Sequence, residues 1–355
     1  MFKIGKTLTL AVALIAVPAS ALAASGATRL PGTWGKLPAA PSSVFGTSVW
    51  TGKQLIVFGT KPFTSTTVVE AYDPAANAWS SLATPSGRVS NLGYKAVWTG
   101  TEMLAWNDFQ PLAYSPATNQ WRPLRRSVPG GIVVWTGREA IGWGGGCCGD
   151  ARSNGAAYRP ATDTFRRLAR SPLAPSQSPV GAWTGRELVL VVGGLDPDGK
   201  PYPARFARAA AYNPRTNTWR RLAPEPERGG TAVWDGHELL VVGAGLRSRS
   251  AFAFNPATNR WRRLGSVRSS RAGASAAWTG KRLLLWSANR GLAYDPKTNR
   301  WSALPSWPLR GRGGPIVAWT GRSLIVWGGE IGTPVGTSTP PKFPLDGAAF
   351  TPTAP

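Results

Sequence analysis

A chain of 355 residues carrying 42 Gly, 32 Pro and 18 Trp, with no uninterrupted amphipathic pattern of helical length after about residue 30, excludes a helical bundle and reads as all-β. Lys and Arg number 41 against 17 Asp and Glu, a formal net charge of +24 that draws anionic partners and makes association sensitive to salt. No nucleic-acid module accompanies that charge, so nucleic acid is not an expected partner.

Residues 1–23 combine a basic start (Lys3, Lys6), an apolar run from Leu8 to Val17, Pro18 and the small-residue ending Ala21-Leu22-Ala23. This is the pattern of a secretory signal, with cleavage expected near Ala23 and a secreted product, extracellular or periplasmic. The run is about half the roughly 20 apolar residues that span a bilayer, so no membrane span is expected. Residues 24–355 are expected to form one domain.

Within that domain a Trp-Thr-Gly or Trp-Asp-Gly triplet begins at Trp50, Trp98, Trp135, Trp183, Trp234, Trp278 and Trp319. Between triplets comes an aromatic two residues before a proline, as in Tyr72-Asp73-Pro74, Tyr212-Asn213-Pro214 and Phe350-Thr351-Pro352. Five residues after each of the first six prolines stands Trp79, Trp121, Phe165, Trp219, Trp261 or Trp301, and each is followed three residues later by a leucine. The triplets recur about every 45 residues, a propeller-blade period. Each unit parses into four strands, a to d. Gly in the a-b turn supplies positive φ, and Asn77, Asn119, Asp163, Asn217, Asn259 and Asn299 suit the left-handed position before strand d.

The seventh unit stops inside its c-d turn, before the expected Trp. Thr33-Trp34-Gly35-Lys36-Leu37 carries the same Trp-to-Leu offset, so residues 33–37 are expected to supply the last strand of blade 7 and close the ring. The fold expected is a seven-bladed β-propeller of four-stranded blades.

These residues resemble the kelch repeat, in which an apolar strand ending in Gly-Gly is followed by Tyr-Asp-Pro and then Asn-x-Trp. The Gly-Gly pair is present at Gly144-Gly145, Gly193-Gly194 and Gly328-Gly329 and absent after Trp106 and Trp286. The resemblance covers about residues 33–355 and implies a propeller like the central domain of galactose oxidase; kelch propellers include enzymes, binding modules and scaffolds. Galactose oxidase-type members bind copper through two His and two Tyr, one Tyr cross-linked to Cys. This chain has only His237, in the a-b turn Trp234-Asp235-Gly236-His237, so the resemblance does not carry copper, and neither a cofactor nor another metal is expected.

In a propeller the b-c and d-a loops share one face, and here the b-c loops vary most in length, marking that face as the expected working surface. Its d-a loops hold Arg88, Arg228, Arg271 and Arg312, and the blade 4 b-c loop holds Arg205. Guanidinium groups there suit capture of carboxylate, sulfate or phosphate, with backbone-bonded structural arginine as the competing reading. The strand d pairs Arg166-Arg167, Arg220-Arg221 and Arg262-Arg263 read as protection of the sheet edge. Cys147 and Cys148, flanked by glycines in the blade 3 loop, are a candidate vicinal disulfide, with free thiols as the alternative. Glu330, Asp108 and Asp150 are the carboxylates that would serve acid-base chemistry, although turn propensity also places acids in such loops.

The function expected is therefore a monomeric, exported binding module for an anionic glycan or cell-surface polymer. Alternatives are a carbohydrate-active enzyme similar to the sialic acid epimerases, and a scaffold for another exported protein.

Overall fold

The computed structural model describes residues 29–353 apart from 88, 90–92, 108–109, 147–148, 194–199, 201, 227–229, 244–250, 266–273 and 333–339. Its strands form seven antiparallel four-stranded sheets, one per sequence unit. The first strands of successive blades abut one another around the circle, and that of blade 1, Phe45–Trp50, meets that of blade 7, Ile316–Trp319. The first strands therefore line the axis and the fourth form the rim. Among the described residues no helix is long and apolar enough to cross a membrane.

Blade 7 contains Ile316–Trp319, Leu324–Trp327 and Gly347–Pro352, and its outer strand is Gly32–Lys36 from the other end of the chain. The register sets Trp34 opposite Phe350, as the repeat offsets require. The closing segment also reaches sideways: Leu30 N–H donates to Ala303 O at 2.8 Å, so the chain touches the outer strand of blade 6 before it joins blade 7. Gly32 sits at φ +155 where a Cβ would stand 2.6 Å from the Phe350 ring, which is why glycine opens this strand.

Second strands such as Leu188–Val191 and Leu239–Gly243 are buried throughout, because each is covered by a neighbouring blade on both faces. The buried apolar side chains fall into seven clusters, one at each junction between blades. The triplet tryptophan and the outer-strand aromatic of one blade lie together on the preceding blade, as Trp234 and Trp261 do at the junction of blades 4 and 5. Burial of aromatic area between sheets is the main cohesive term of the ring.

Polar bonds then fix the angle between blades. The indole Nε1 of Trp34, Trp79, Trp121, Trp219, Trp261 and Trp301 each donates, at 2.7 to 3.1 Å, to a backbone carbonyl just beyond the outer strand of the preceding blade. At four junctions the N–H of that same residue donates to Oδ1 of Asn119, Asn217, Asn259 or Asn299 at 2.9 to 3.0 Å. The expectation that these asparagines are left-handed turn residues holds, with φ between 48 and 57 at Asn77, Asn119, Asn217, Asn259 and Asn299. Their second task as acceptors between blades is not visible from turn propensity.

Candidate functional site

Each face of the ring is built by a different kind of connection. On the turn face the triplet folds the chain back on one side chain: Thr51 Oγ1 accepts from the N–H groups of Lys53 and Gln54 at 3.2 and 2.9 Å, with Gly52 at φ +91. Blade 5 replaces the hydroxyl with the Asp235 carboxylate, which accepts from His237 and Glu238 N–H at 2.8 and 2.7 Å. The next residue is forced outward at the tip of every turn. Those tips are Lys53, Thr101, Arg138, Arg186, His237, Lys281 and Arg322, all exposed. Because these turns leave the innermost strands, the tips ring the axis, and five of the seven are Lys or Arg.

The residue after the tip is Glu102, Glu139, Glu187 or Glu238 in blades 2 to 5, and an arginine on the outer strand neutralises each. Arg220 grips Glu187 in a fork of 3.1 and 2.8 Å, and Arg122 holds Glu102 at the same two distances. Arg166 and Arg262 do the same for Glu139 and Glu238. The leading arginines of the strand d pairs are therefore internal braces rather than edge guards. Arg166 extends to the next blade, donating from Nη1 to the Tyr212 hydroxyl at 2.6 Å. Arg122 and Arg262 stand beside Tyr158 and Tyr294 in the same way. These carboxylates are already paired and do not neutralise the adjacent tips Arg138 and Arg186.

The sequence carried this signal. Blades 2 to 5 have Glu three residues after Thr or Asp of the triplet and Arg directly after the outer-strand aromatic, whereas blades 1, 6 and 7 have Gln54, Arg282 and Ser323 with Ser80, Ser302 and Gly35. The two positions change together, as partners must.

On the loop face, Lys61-Pro62-Phe63-Thr64 makes a tight turn in which Thr64 N–H donates to Lys61 O at 3.1 Å. Pro62 occupies the second position and Phe63 the third, at φ +58, where such turns ordinarily use Gly or Asn. Phe63 is nonetheless 81% exposed, and its ring meets that of Phe343 edge-on at 5.4 Å. Phe343 is carried on the long blade 7 loop, which is pinned at its base by paired bonds between Ile331 and Lys342. Exposed Lys61 and Lys342 flank the two rings in the chain.

The sequence-derived candidates are scattered. Arg88, Arg228, Arg271, Asp108, Cys147 and Cys148 lie outside the described residues. Arg312 is only 2% exposed. Its Nη1 donates to Gly328 O, Asp346 O and Asp346 Oδ1 at 3.2, 3.0 and 2.8 Å, so it is a structural brace under the blade 7 loop, not a group at the channel mouth. Arg205 is exposed, with its guanidinium 5.0 Å from the centre of the Phe206 ring. Glu330 and Asp150 are exposed but stand on blades 7 and 3, which do not adjoin, and Asp150 pairs with Arg152 at 3.4 Å. The described carboxylates of that candidate set do not converge as the two acids of a glycoside-processing site must.

With this geometry defined, comparison with known proteins bears on the fold. No family model and no curated protein matches the chain. Among solved structures it is similar to a fungal alcohol oxidase of the AA5 family in complex with copper, at 12% identity and a TM-score of 0.68, over 90% of this chain and 76% of the other. The likeness is one of fold: a seven-bladed β-propeller of four-stranded blades. The residues present do not fit that enzyme's metal. His237 projects from a turn-face tip, and among the described residues no group of three or more His, Cys, Asp and Glu could hold a metal ion.

Proposed function

We propose that this protein is an exported, non-catalytic propeller that binds an acidic glycan or cell-surface polymer through its loop face. The reading rests on one observation, the Phe63–Phe343 pair with its flanking lysines. An aromatic ring exposed to this degree offers a stacking platform for the apolar face of a sugar, and ammonium groups beside it select sugars that carry carboxylate or sulfate. Holding Phe63 at positive φ costs about 1 to 2 kcal/mol, which a residue with no contact role would relieve by becoming Gly or Asn. Arg205 extends the cationic surface on the same face.

The same exposed group, with Phe45 61% and Leu345 38% exposed, also favours the scaffold reading, since apolar patches of this kind serve protein partners. Salt separates the two. Glycan-array binding to uronate or sulfated chains should fall steeply as sodium chloride is raised, and Phe63→Gly should abolish it while raising the unfolding midpoint. Retention of full glycan binding by that variant overturns the reading; salt-independent capture of an exported protein replaces it. Mass spectrometry of the secreted product, with a new N-terminus after Ala23, tests the export step.

A further inference from the structure

We infer that a groove between blades 4 and 5 on the turn face is a second binding site, built for a carboxylated sugar ring and independent of the loop-face surface. The groove is open to solvent, has a volume of about 510 Å³, and is bounded by Trp234, Pro256, Arg186, His237 and the Arg220–Glu187 pair. Two adjacent members of the ring of turn tips, Arg186 and His237, stand at its rim.

The reason for a site at this junction is a departure from the other junctions that carry a bracing arginine. Arg166 satisfies Nη1 with the Tyr212 hydroxyl of the following blade, and Arg122 and Arg262 have Tyr158 and Tyr294 beside them. In blade 5 the equivalent residue is Phe254, which has no hydroxyl. Arg220 spends Nε and Nη2 on Glu187, reaches only Pro256 O at 3.4 Å on the next blade, and its Nη1 donates to no described residue. The Glu187 charge is met by that fork and Asp235 Oδ1 accepts the backbone N–H groups of His237 and Glu238, so an anion entering the groove faces Arg220, Arg186 and an imidazole. Trp234 and Pro256 supply an apolar wall. A carboxylate on a pyranose ring matches both halves: the charge takes the spare guanidinium edge and the ring lies against Trp234.

Phe254→Tyr tests this directly, because the added hydroxyl would donate to Asn259 as its counterparts do to theirs and would occupy Arg220 without unfolding the blade. Glucuronic acid, glucose, sodium sulfate and an oligomer of glucuronic acid would be titrated against the full chain by calorimetry and by indole-proton NMR. The expected result is saturable glucuronic acid binding that perturbs the Trp234 indole, with glucose about tenfold weaker or undetectable. F254Y should weaken glucuronic acid about tenfold with no fall in unfolding midpoint, R186A should weaken it severalfold, and Phe63→Gly should leave it unchanged. Tighter binding of the oligomer identifies a polymer as the source, and equal binding identifies the free sugar acid. Equal affinity for glucose, sulfate binding as tight as glucuronic acid, or unaltered affinity in folded F254Y overturns the proposal.

Discussion

Asn119 performs three tasks with one side chain. It takes the left-handed conformation at φ +53, accepts from the Tyr114 hydroxyl at 2.8 Å, and accepts the Ala83 N–H of the preceding blade at 2.9 Å. Alanine there would be strained and would strand two donors, so Asn119→Ala should cost about 2 to 3 kcal/mol. Asn259 has the same backbone and the same bond to the preceding blade, but its partner residue is Phe254. Asn259→Ala should therefore cost about 1 kcal/mol less, a difference readable from urea midpoints. Glu70 makes an opposite prediction. It is 2% exposed, bonded to Ser81, and burial pushes its carboxyl above the ordinary value of 4.5. A raised value in the folded state means the native protein holds that proton more tightly. Its contribution to stability is complete below about pH 4.5 and is lost as pH rises through the folded value. Glu70→Gln should thus be more stable than the parent at pH 7, with the gap closing toward pH 4.5 in parallel denaturation series.

At the level of strands and turns, the closing strand Gly32–Lys36 bears the heaviest local demand. Trp34 packs against Trp286, Trp307 and Phe350 at 5.3, 4.9 and 5.4 Å between ring centres. Gly32→Ala pushes a methyl into the Phe350 ring and should raise amide exchange across Gly347–Pro352 ahead of other third strands, while the axial strands stay protected. The blade count, the turns and this closure were legible because fixed offsets of Trp, Pro, Asn and Leu repeat along the chain. The paired change of Glu and Arg was equally legible, and needed only blades 2 to 5 to be compared with 1, 6 and 7. Arg312 was not. Its burial depends on Asp346 and the Gly328 carbonyl, brought over it by a loop whose path no periodicity encodes. Phe63 was hidden for a related reason, since nothing in Lys61-Pro62-Phe63-Thr64 says that a turn position suited to glycine will hold an aromatic ring out in solvent.

Over the whole molecule, the charge of +24 is distributed with a pattern. The four outer-strand braces cancel the glutamates of blades 2 to 5, and the tips around the axis remain positive. The tips are exposed and lie outside those pairs, so their removal should alter the field more than the stability. Replacing Lys53, Arg138, Lys281 and Arg322 together with Ser should leave the unfolding midpoint within a few degrees of the parent. The same variant should flatten the salt dependence of adsorption to a polyanionic resin, because each removed cation releases fewer counterions. The loop-face glycan binding proposed above should persist in that variant at moderate salt.

The pairing of Trp34 with Phe350 also imposes an order of events. The strand that completes the last blade, Gly32–Lys36, is synthesised well before its partner, Gly347–Pro352. Until both are present the ring is an open arc with two raw sheet edges and one uncovered flank. Burial of those edges waits for Gly347–Pro352, whatever the order in which the other blades form.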